Sequence, residues 1–158
     1  MMLRAVLLVS LTVVAGQAVS DTRFTQPPGV TGCYSVEVGQ WSGGFPSQSP
    51  DSHQPPSFIR LDSALVEGRF SHPGVRRVEP HIPALTRYRT LPPNWRISNE
   101  DLLVVTWSSG FVGVRLELAL PGDSLRGRAV ALYDVIGPPV PTAPVVLVKR
   151  SCSEFPLR

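Results

Sequence analysis

The sequence predicts an all-β protein, a small antiparallel barrel of about eight strands, with a two-sheet β-sandwich as the alternative. Two observations lead to this fold class. Apolar and polar residues alternate with a period of two after residue 20, and no stretch of eleven residues carries a helical apolar face. The 17 prolines and 13 glycines divide the chain into short runs, as expected for antiparallel strands joined by turns. The predicted strands are 34–40, 57–62, 65–70, 85–90, 102–107, 111–120, 125–135 and 145–150, and the predicted long loops are 42–56, 71–83 and 137–144.

Residues 1–20 are predicted to be a cleavable signal peptide. Arg4 is the only charged residue in this segment, and residues 5–15 form an apolar core that is shorter than the ~18 residues of a membrane span. Cleavage after Ala18 or Ser20 fits the preference of signal peptidases for small residues. We therefore expect an exported protein that resides in the periplasm, in the cell envelope or outside the cell.

Residues 21–158 are expected to form a single β-rich domain whose charge does not indicate a nucleic-acid partner. The formal net charge of the chain is +3, of which Arg4 supplies +1, so the domain carries +2 (3 − 1). A nucleic-acid-binding surface usually needs a stronger basic patch than this. No segment after residue 20 is long and apolar enough to cross a membrane. We expect neither a nucleic-acid partner nor a membrane span.

Cys33 and Cys152 are the only two cysteines, and they lie near opposite ends of that domain. In an oxidising compartment such a pair predicts a disulfide. In a barrel with an even number of strands the first and last strands pair antiparallel, which would bring the two cysteines together. The alternative is a bacterial lipoprotein with its lipid on Cys33, because residues 30–33 match that cleavage pattern. Charged residues and prolines at 21–28 separate this pattern from the apolar core, so we favour the disulfide.

The best-determined part of the predicted sheet is the hairpin that turns at residues 121–124, where Pro and Gly favour a turn. If Leu120 faces Leu125, Glu117 faces Arg128 and forms an opposite-charge pair across the strands. A shift of one residue would move every side chain to the other face, so this register is strongly specified. In the same register large residues meet small ones: Leu118 faces Gly127, Leu116 faces Ala129, Val114 faces Ala131, and Val112 faces Tyr133.

The preceding turn, at residues 108–110, is predicted to pair Trp107 with Phe111. This pairing would place Leu102, Val104 and Thr106 on the inner face of the sheet. The outer face would then be unusually apolar, which indicates either a surface covered by loops of the same domain or a contact patch for a protein partner. The residues of this predicted outer face are Leu103, Val105, Trp107, Phe111, Val130 and Leu132.

No group of residues predicts catalysis, a metal ion or a cofactor. Ser108 and Ser109 precede a glycine, but a hydrolase of the nucleophile-elbow type needs a helix after its Ser and a His later in the chain. The histidines, His53, His72 and His81, lack the paired spacing of zinc ligands and are expected to be solvated loop residues. We therefore expect a protein that is not an enzyme.

The segment Gly39-Gln40-Trp41-Ser42-Gly43 resembles a barrel motif. Its Gly-x-Trp is similar to the motif of the first strand in lipocalin-type barrels, and Gly-x-Trp-x-Gly is similar to the signature of nitrobindin-like barrels. The resemblance implies a small antiparallel barrel of the kind that encloses a cavity, with Arg150 packed across Trp41. A His near the C-terminus, which would ligate haem in a nitrobindin, is missing, so haem binding is not implied.

The leading hypothesis is non-enzymatic binding of a small apolar ligand inside the barrel, where small residues of one strand would leave room. The predicted ligand-binding residues are Trp41, Gly127, Ala129, Ala131 and Tyr133. The rival hypothesis is an envelope or extracellular interaction module that binds a protein partner through the face around Trp107 and Phe111.

Overall fold

Eight antiparallel strands form a closed barrel in which each strand pairs with the next and the last pairs with the first. The computed structural model describes residues 29–45, 50–66, 74–85, 91–98, 101–120, 122, 124–134 and 139–155. The predicted barrel is thus confirmed over the sandwich, and the predicted signal peptide lies outside the described residues. The strands are β1 (Gly32–Val38), β2 (Phe58–Leu65), β3 (Arg76–Glu79), β4 (Leu91–Ile97), β5 (Leu102–Ser108), β6 (Val112–Ala119), β7 (Ser124–Tyr133) and β8 (Thr142–Arg150); the described 3-10 turns are η1 (Pro50–His53), η2 (Pro83–Leu85) and η3 (Cys152–Glu154).

The barrel has two ends, which are named here by the strands that reach them. At the upper end β1, β5 and β7 finish, and β6 and β8 begin. At the lower end β1 begins and β8 finishes. Alternate residues of each strand point into the space between these ends and form one hydrophobic core. The inward residues with at most 1% exposure are Ile59, Leu61, Val78, Trp95, Leu103, Val105, Trp107, Val114, Leu116, Leu118, Ala129, Ala131, Val145 and Leu147.

The hairpin of β6 and β7 has the predicted register. Leu118 pairs with Gly127, Val112 with Tyr133, and the pairs between them follow in step. Glu117 and Arg128 lie opposite each other on the outer face, and the Arg128 Nε donates to the Glu117 Oε2 at 2.7 Å. The predicted register of this hairpin is therefore confirmed.

The predicted inner face of β5 is wrong. Trp107 pairs with Val114 and not with Phe111, so the register is shifted by three residues (114 − 111). A shift by an odd number of residues exchanges the inner and outer faces of a strand. The cause is a longer turn, residues 109–112, in which the Ser109 backbone N–H donates to the carbonyl oxygen of Val112 at 2.9 Å. As a result Leu103, Val105 and Trp107 lie inside, whereas Leu102, Val104 and Thr106 lie half-buried on the outer face.

Prolines explain why β3 and β4 were not predicted. β3 lies within the predicted loop 71–83, and β4 follows the predicted strand 85–90, of which residues 86–90 lie outside the described residues. β4 contains Pro92 and Pro93, which have no N–H to donate, and the register between β4 and β5 slips there. Residues 67–70 of the predicted third strand are also outside the described residues.

The seam between β3 and β4 is short, and two tryptophans bridge it. Among the described residues the seam has only the register pairs Arg76 with Trp95 and Arg77 with Asn94. Trp95, on β4, donates its indole N–H to the carbonyl oxygen of Asp62 on β2 at 2.8 Å. Trp107, on β5, donates its indole N–H to the carbonyl oxygen of Pro80, just after β3, at 2.9 Å. Each of these bonds joins the two sides of the seam and contributes about 1 kcal/mol.

A covalent bond reinforces the seam between β1 and β8, which a ladder of register pairs closes. Cys33 pairs in register with Arg150, and the Cys33 Sγ is 2.12 Å from the Cys152 Sγ, with 119 residues of sequence separation. The predicted disulfide is therefore confirmed, and a bonded Cys33 has no thiol for a lipid. In the chain-entropy model a cross-link over such a loop stabilises the folded state by about 4–5 kcal/mol.

Gly127 is required by the close approach of two strands. A Cβ atom at this position would lie 1.8 Å from the carbonyl oxygen of Glu117 on β6. The residue is exposed, so it does not border an internal space. The expectation that Gly127 leaves room for a ligand is therefore wrong.

We predict that Gly127→Ala lowers the free energy of unfolding by about 1–3 kcal/mol, because the added methyl group forces the backbone of β7 away from β6. Gly44→Ala is the matched control, since among the described residues no atom outside its two chain neighbours lies within 4 Å of the position that its methyl group would take, and it should change stability by less than about 0.5 kcal/mol. Urea unfolding measures both values. Equal stability of the two variants would contradict the close approach.

Candidate functional site

The lower end of the barrel is covered by the chain that precedes β1. Val30 belongs to the core, and the Tyr34 hydroxyl donates to the carbonyl oxygen of Val30 at 2.6 Å. The Lys149 Nζ donates to the carbonyl oxygen of Gly29 at 2.9 Å. These contacts hold the chain that precedes β1 against the lower end of the barrel.

Four rings lie together at the upper end and are called here the upper aromatic cluster: Trp41, Phe45, His53 and Tyr133. The ring centroids of Trp41 and Phe45 are 5.3 Å apart, and those of Phe45 and His53 are also 5.3 Å apart. The rings of His53 and Tyr133 are closest, at 4.5 Å. His53 is fully buried, whereas the other three residues keep part of their surface exposed. The exposed surface of these three residues is open to solvent, whereas the Trp41 Nε1 and the Tyr133 hydroxyl oxygen are buried.

Pairing with β8 places Trp41 at this end. The Ser42 backbone N–H donates to the carbonyl oxygen of Thr142 at 2.7 Å, and the Ser42 hydroxyl donates to the same oxygen at 2.9 Å. Gly43 follows with a φ of +88°, a conformation that glycine adopts without strain, and the chain turns toward Phe45. The Trp41 ring packs against the hydrophobic core.

Tyr133 and His53 are positioned in the cluster by two different elements of the fold. Tyr133 is the last residue of β7 and lies opposite Val112. His53 is the last residue of η1, which packs against β6 and η2, so this turn folds over the upper end. The His53 Nδ1 lies 3.1 Å from the Ser52 Oγ. The expectation that His53 is a solvated loop residue is therefore wrong, whereas His81 is exposed as expected and His72 lies outside the described residues.

Two polar atoms of the cluster are buried and unpaired within the part of the chain that the structure describes. The Trp41 Nε1 and the Tyr133 hydroxyl have no hydrogen-bond partner among the described residues. A buried polar group left in this state costs about 1–3 kcal/mol, so each such group in a folded protein needs a physical explanation. Burial also raises the pKa of the Tyr133 hydroxyl above its ordinary value of 10.0.

The structure brings some predicted ligand-binding residues together and separates others. Trp41 and Tyr133 belong to the cluster, and Ala131 lies one inward position before Tyr133 on β7. Ala129 lies deeper in the core, and Gly127 lies farther still toward the lower end. Ala129 and Ala131 have 0% exposure, so no water-sized space adjoins them.

Phe45 and His53 were missed by sequence reasoning. Both lie in a proline-rich connection without strand or helix periodicity, and their positions depend on how that connection folds back over the barrel. A buried His at the end of a polar loop gives no periodic signal. The nearest sequence signal is the short spacing between Trp41 and Phe45.

The predicted protein-binding face does not form. Trp107 lies inside the barrel with 1% exposure, whereas Phe111 lies in the turn before β6 with 63% exposure. The two residues are on different sides of the sheet because the β5 register differs from the predicted one. The rival hypothesis therefore loses its central residue.

The contact that the lipocalin resemblance implies is also not formed. Trp41 follows the upper end of β1, whereas Arg150 ends β8 at the lower end, where its Nε donates to the Ser35 hydroxyl at 3.2 Å. The Gly39 N–H instead donates to the carbonyl oxygen of Pro144 at 2.8 Å. In this chain the Gly-x-Trp segment therefore extends the pairing of β1 with β8.

Ser109 serves the turn between β5 and β6. Its hydroxyl oxygen accepts hydrogen bonds from the backbone N–H groups of Phe111 at 3.4 Å and Val112 at 3.2 Å.

Within the described ranges, no group of three or more His, Cys, Asp or Glu side chains is placed to hold a metal ion. The part of the chain that the structure describes contains no helix with the length and hydropathy of a membrane span.

We predict that Tyr133 makes folding stability fall at alkaline pH. Its raised pKa means that the folded state favours the neutral phenol, so this contribution is complete below about pH 10 and is lost as the pH rises through the raised value. Tyr133→Phe should therefore lose less stability than the wild type between about pH 8 and about pH 11 in urea unfolding.

The control for this experiment is Phe111→Tyr, which adds a tyrosine at an exposed position. An exposed phenol has similar pKa values in the folded and unfolded states, so this variant should keep the wild-type pH dependence. A Tyr133→Phe variant with the same pH dependence as the wild type would contradict the burial of the Tyr133 hydroxyl.

Comparisons with protein-family models, with curated proteins and with solved structures find no match to this chain.

Proposed function

We propose that this protein is exported and binds a small apolar ligand at the upper end of its barrel, without catalysing a reaction. The observation that carries the proposal is the upper aromatic cluster, in which the Trp41 Nε1 and the Tyr133 hydroxyl are buried without a partner among the described residues. Ligand sites commonly combine an apolar, aromatic lining with a few polar groups of this kind.

The filled core supports a site at the end of the barrel and not along its axis. Trp95 and Trp107 are the largest fully buried side chains among the described residues. Ala129 and Ala131, which would have lined an internal space, have no exposed surface. The proposed ligand therefore lies against Trp41, Phe45 and Tyr133, above the packed core.

Export is supported by two features. Residues 1–20 have the pattern of a signal peptide. The bond between Cys33 and Cys152 is compatible with an oxidising compartment, where disulfides persist.

Binding of N-phenyl-1-naphthylamine to the exported, oxidised protein tests the proposal, because the fluorescence of this probe rises in apolar sites. We predict that the wild type binds the probe and that Phe45→Ala weakens binding about two- to tenfold. The reason is the loss of one aromatic contact, which contributes about 0.5–1.5 kcal/mol.

Phe111→Ala is the matched control, because it removes the same side chain from an exposed position outside the cluster. It should bind the probe with wild-type affinity. The proposal fails if the wild type does not bind the probe, or if both variants lose affinity equally.

A further inference from the structure

The two unpartnered groups of the cluster define what kind of ligand would complement them. An indole N–H donates a hydrogen bond and cannot accept one, so the Trp41 Nε1 needs an acceptor. A phenol hydroxyl donates as well as accepts, so the Tyr133 hydroxyl is also satisfied by an acceptor. Both donors are already buried, and a pure hydrocarbon would leave them unpaired.

The lining indicates the shape of the ligand. Neighbouring rings of the cluster pack on one another at interplanar angles of 67°, 44° and 35°, in edge-to-face and tilted contacts. Aromatic molecules pack favourably in edge-to-face and tilted contacts of this type.

We propose that the ligand is a planar aromatic molecule with a carbonyl group at the edge of its ring system, that the half-exposed side chains of Trp41 and Tyr133 turn to admit it, and that this carbonyl accepts a hydrogen bond from the Trp41 Nε1, the Tyr133 hydroxyl or both. This inference rests on the proposed ligand site. It adds the chemical class of the ligand and the two residues that select it.

The test compares two ligands that share a ring system and have similar size. 2-Acetylnaphthalene carries a ketone, and 2-ethylnaphthalene replaces the ketone with a methylene group. Their dissociation constants are measured by equilibrium dialysis against the exported, oxidised protein. The wild type should bind the ketone at least about tenfold more tightly, since a buried donor gains a partner only from the ketone.

Variants assign this preference to the cluster. Trp41→Phe with Tyr133→Phe removes both donors and keeps aromatic rings, and it breaks no protein hydrogen bond among the described residues, so the double variant should fold. It should bind the two naphthalenes with nearly equal affinity. Tyr34→Phe is the control, because its hydroxyl bonds to Val30 at the lower end, and it should keep the wild-type preference.

The outcomes separate this inference from the proposed function. Equal binding of both naphthalenes by the wild type would overturn the inference and leave an apolar site in place. A preference for the ketone that persists in the double variant would also overturn it, because the acceptor would then bind elsewhere. Binding of neither compound would overturn both the inference and the proposed function.

Discussion

Closure of the barrel between β3 and β4 depends on the indole groups of two buried tryptophans. Few ladder pairs join these strands, because β3 is short and β4 contains consecutive prolines that cannot donate. Trp95 and Trp107 reach across the seam to the carbonyl oxygens of Asp62 and Pro80. An open sheet would expose two unpaired edges, which closed barrels avoid. At the seam of the first and last strands, which a regular ladder closes, the disulfide between Cys33 and Cys152 adds a covalent bond.

The same tryptophans determine where a ligand could bind. Because both indole rings point inward to reach the seam, they occupy the interior together with the leucine and valine side chains of β5 and β6. Their N–H groups are already paired with protein. Trp41 is the remaining tryptophan of the three in the chain, and its N–H is unpaired among the described residues. The two indole groups that fill the core are therefore paired with protein carbonyl groups. The indole group of Trp41, which is unpaired among the described residues, lies at the upper end.

Sequence reasoning succeeded where side-chain size and charge alternate across two adjacent strands. The hairpin of β6 and β7 was predictable because a shift of one residue would place Glu117 in the core. The disulfide followed from barrel closure and the positions of Cys33 and Cys152. The face of β5 was not predictable from alternation alone, because both of its faces are largely apolar and the length of the turn that follows it decides which one is buried. Trp107 was consequently placed on the wrong side.

The candidate site was only partly predictable, for a different reason. Trp41 and Tyr133 belong to segments next to predicted strands, so their approximate positions follow from the barrel. Phe45 and His53 are placed by tertiary packing of a loop and a short turn on the barrel end, which local sequence does not encode. Gly127 was misinterpreted because a glycine that permits close approach of two strands has the same sequence pattern as one that leaves space.

The central claim is that Trp95 and Trp107 close and fill the barrel, whereas Trp41 is available to a ligand. The most direct test is the set of three indole N–H signals in a proton–nitrogen NMR spectrum of the exported, oxidised protein, each assigned by a Trp→Phe variant. The account predicts that the Trp95 and Trp107 signals exchange slowly with deuterium oxide and stay in place when 2-acetylnaphthalene is added, while the Trp41 signal moves. Rapid exchange of the Trp95 and Trp107 signals, or movement of either one with an unchanged Trp41 signal, would contradict it.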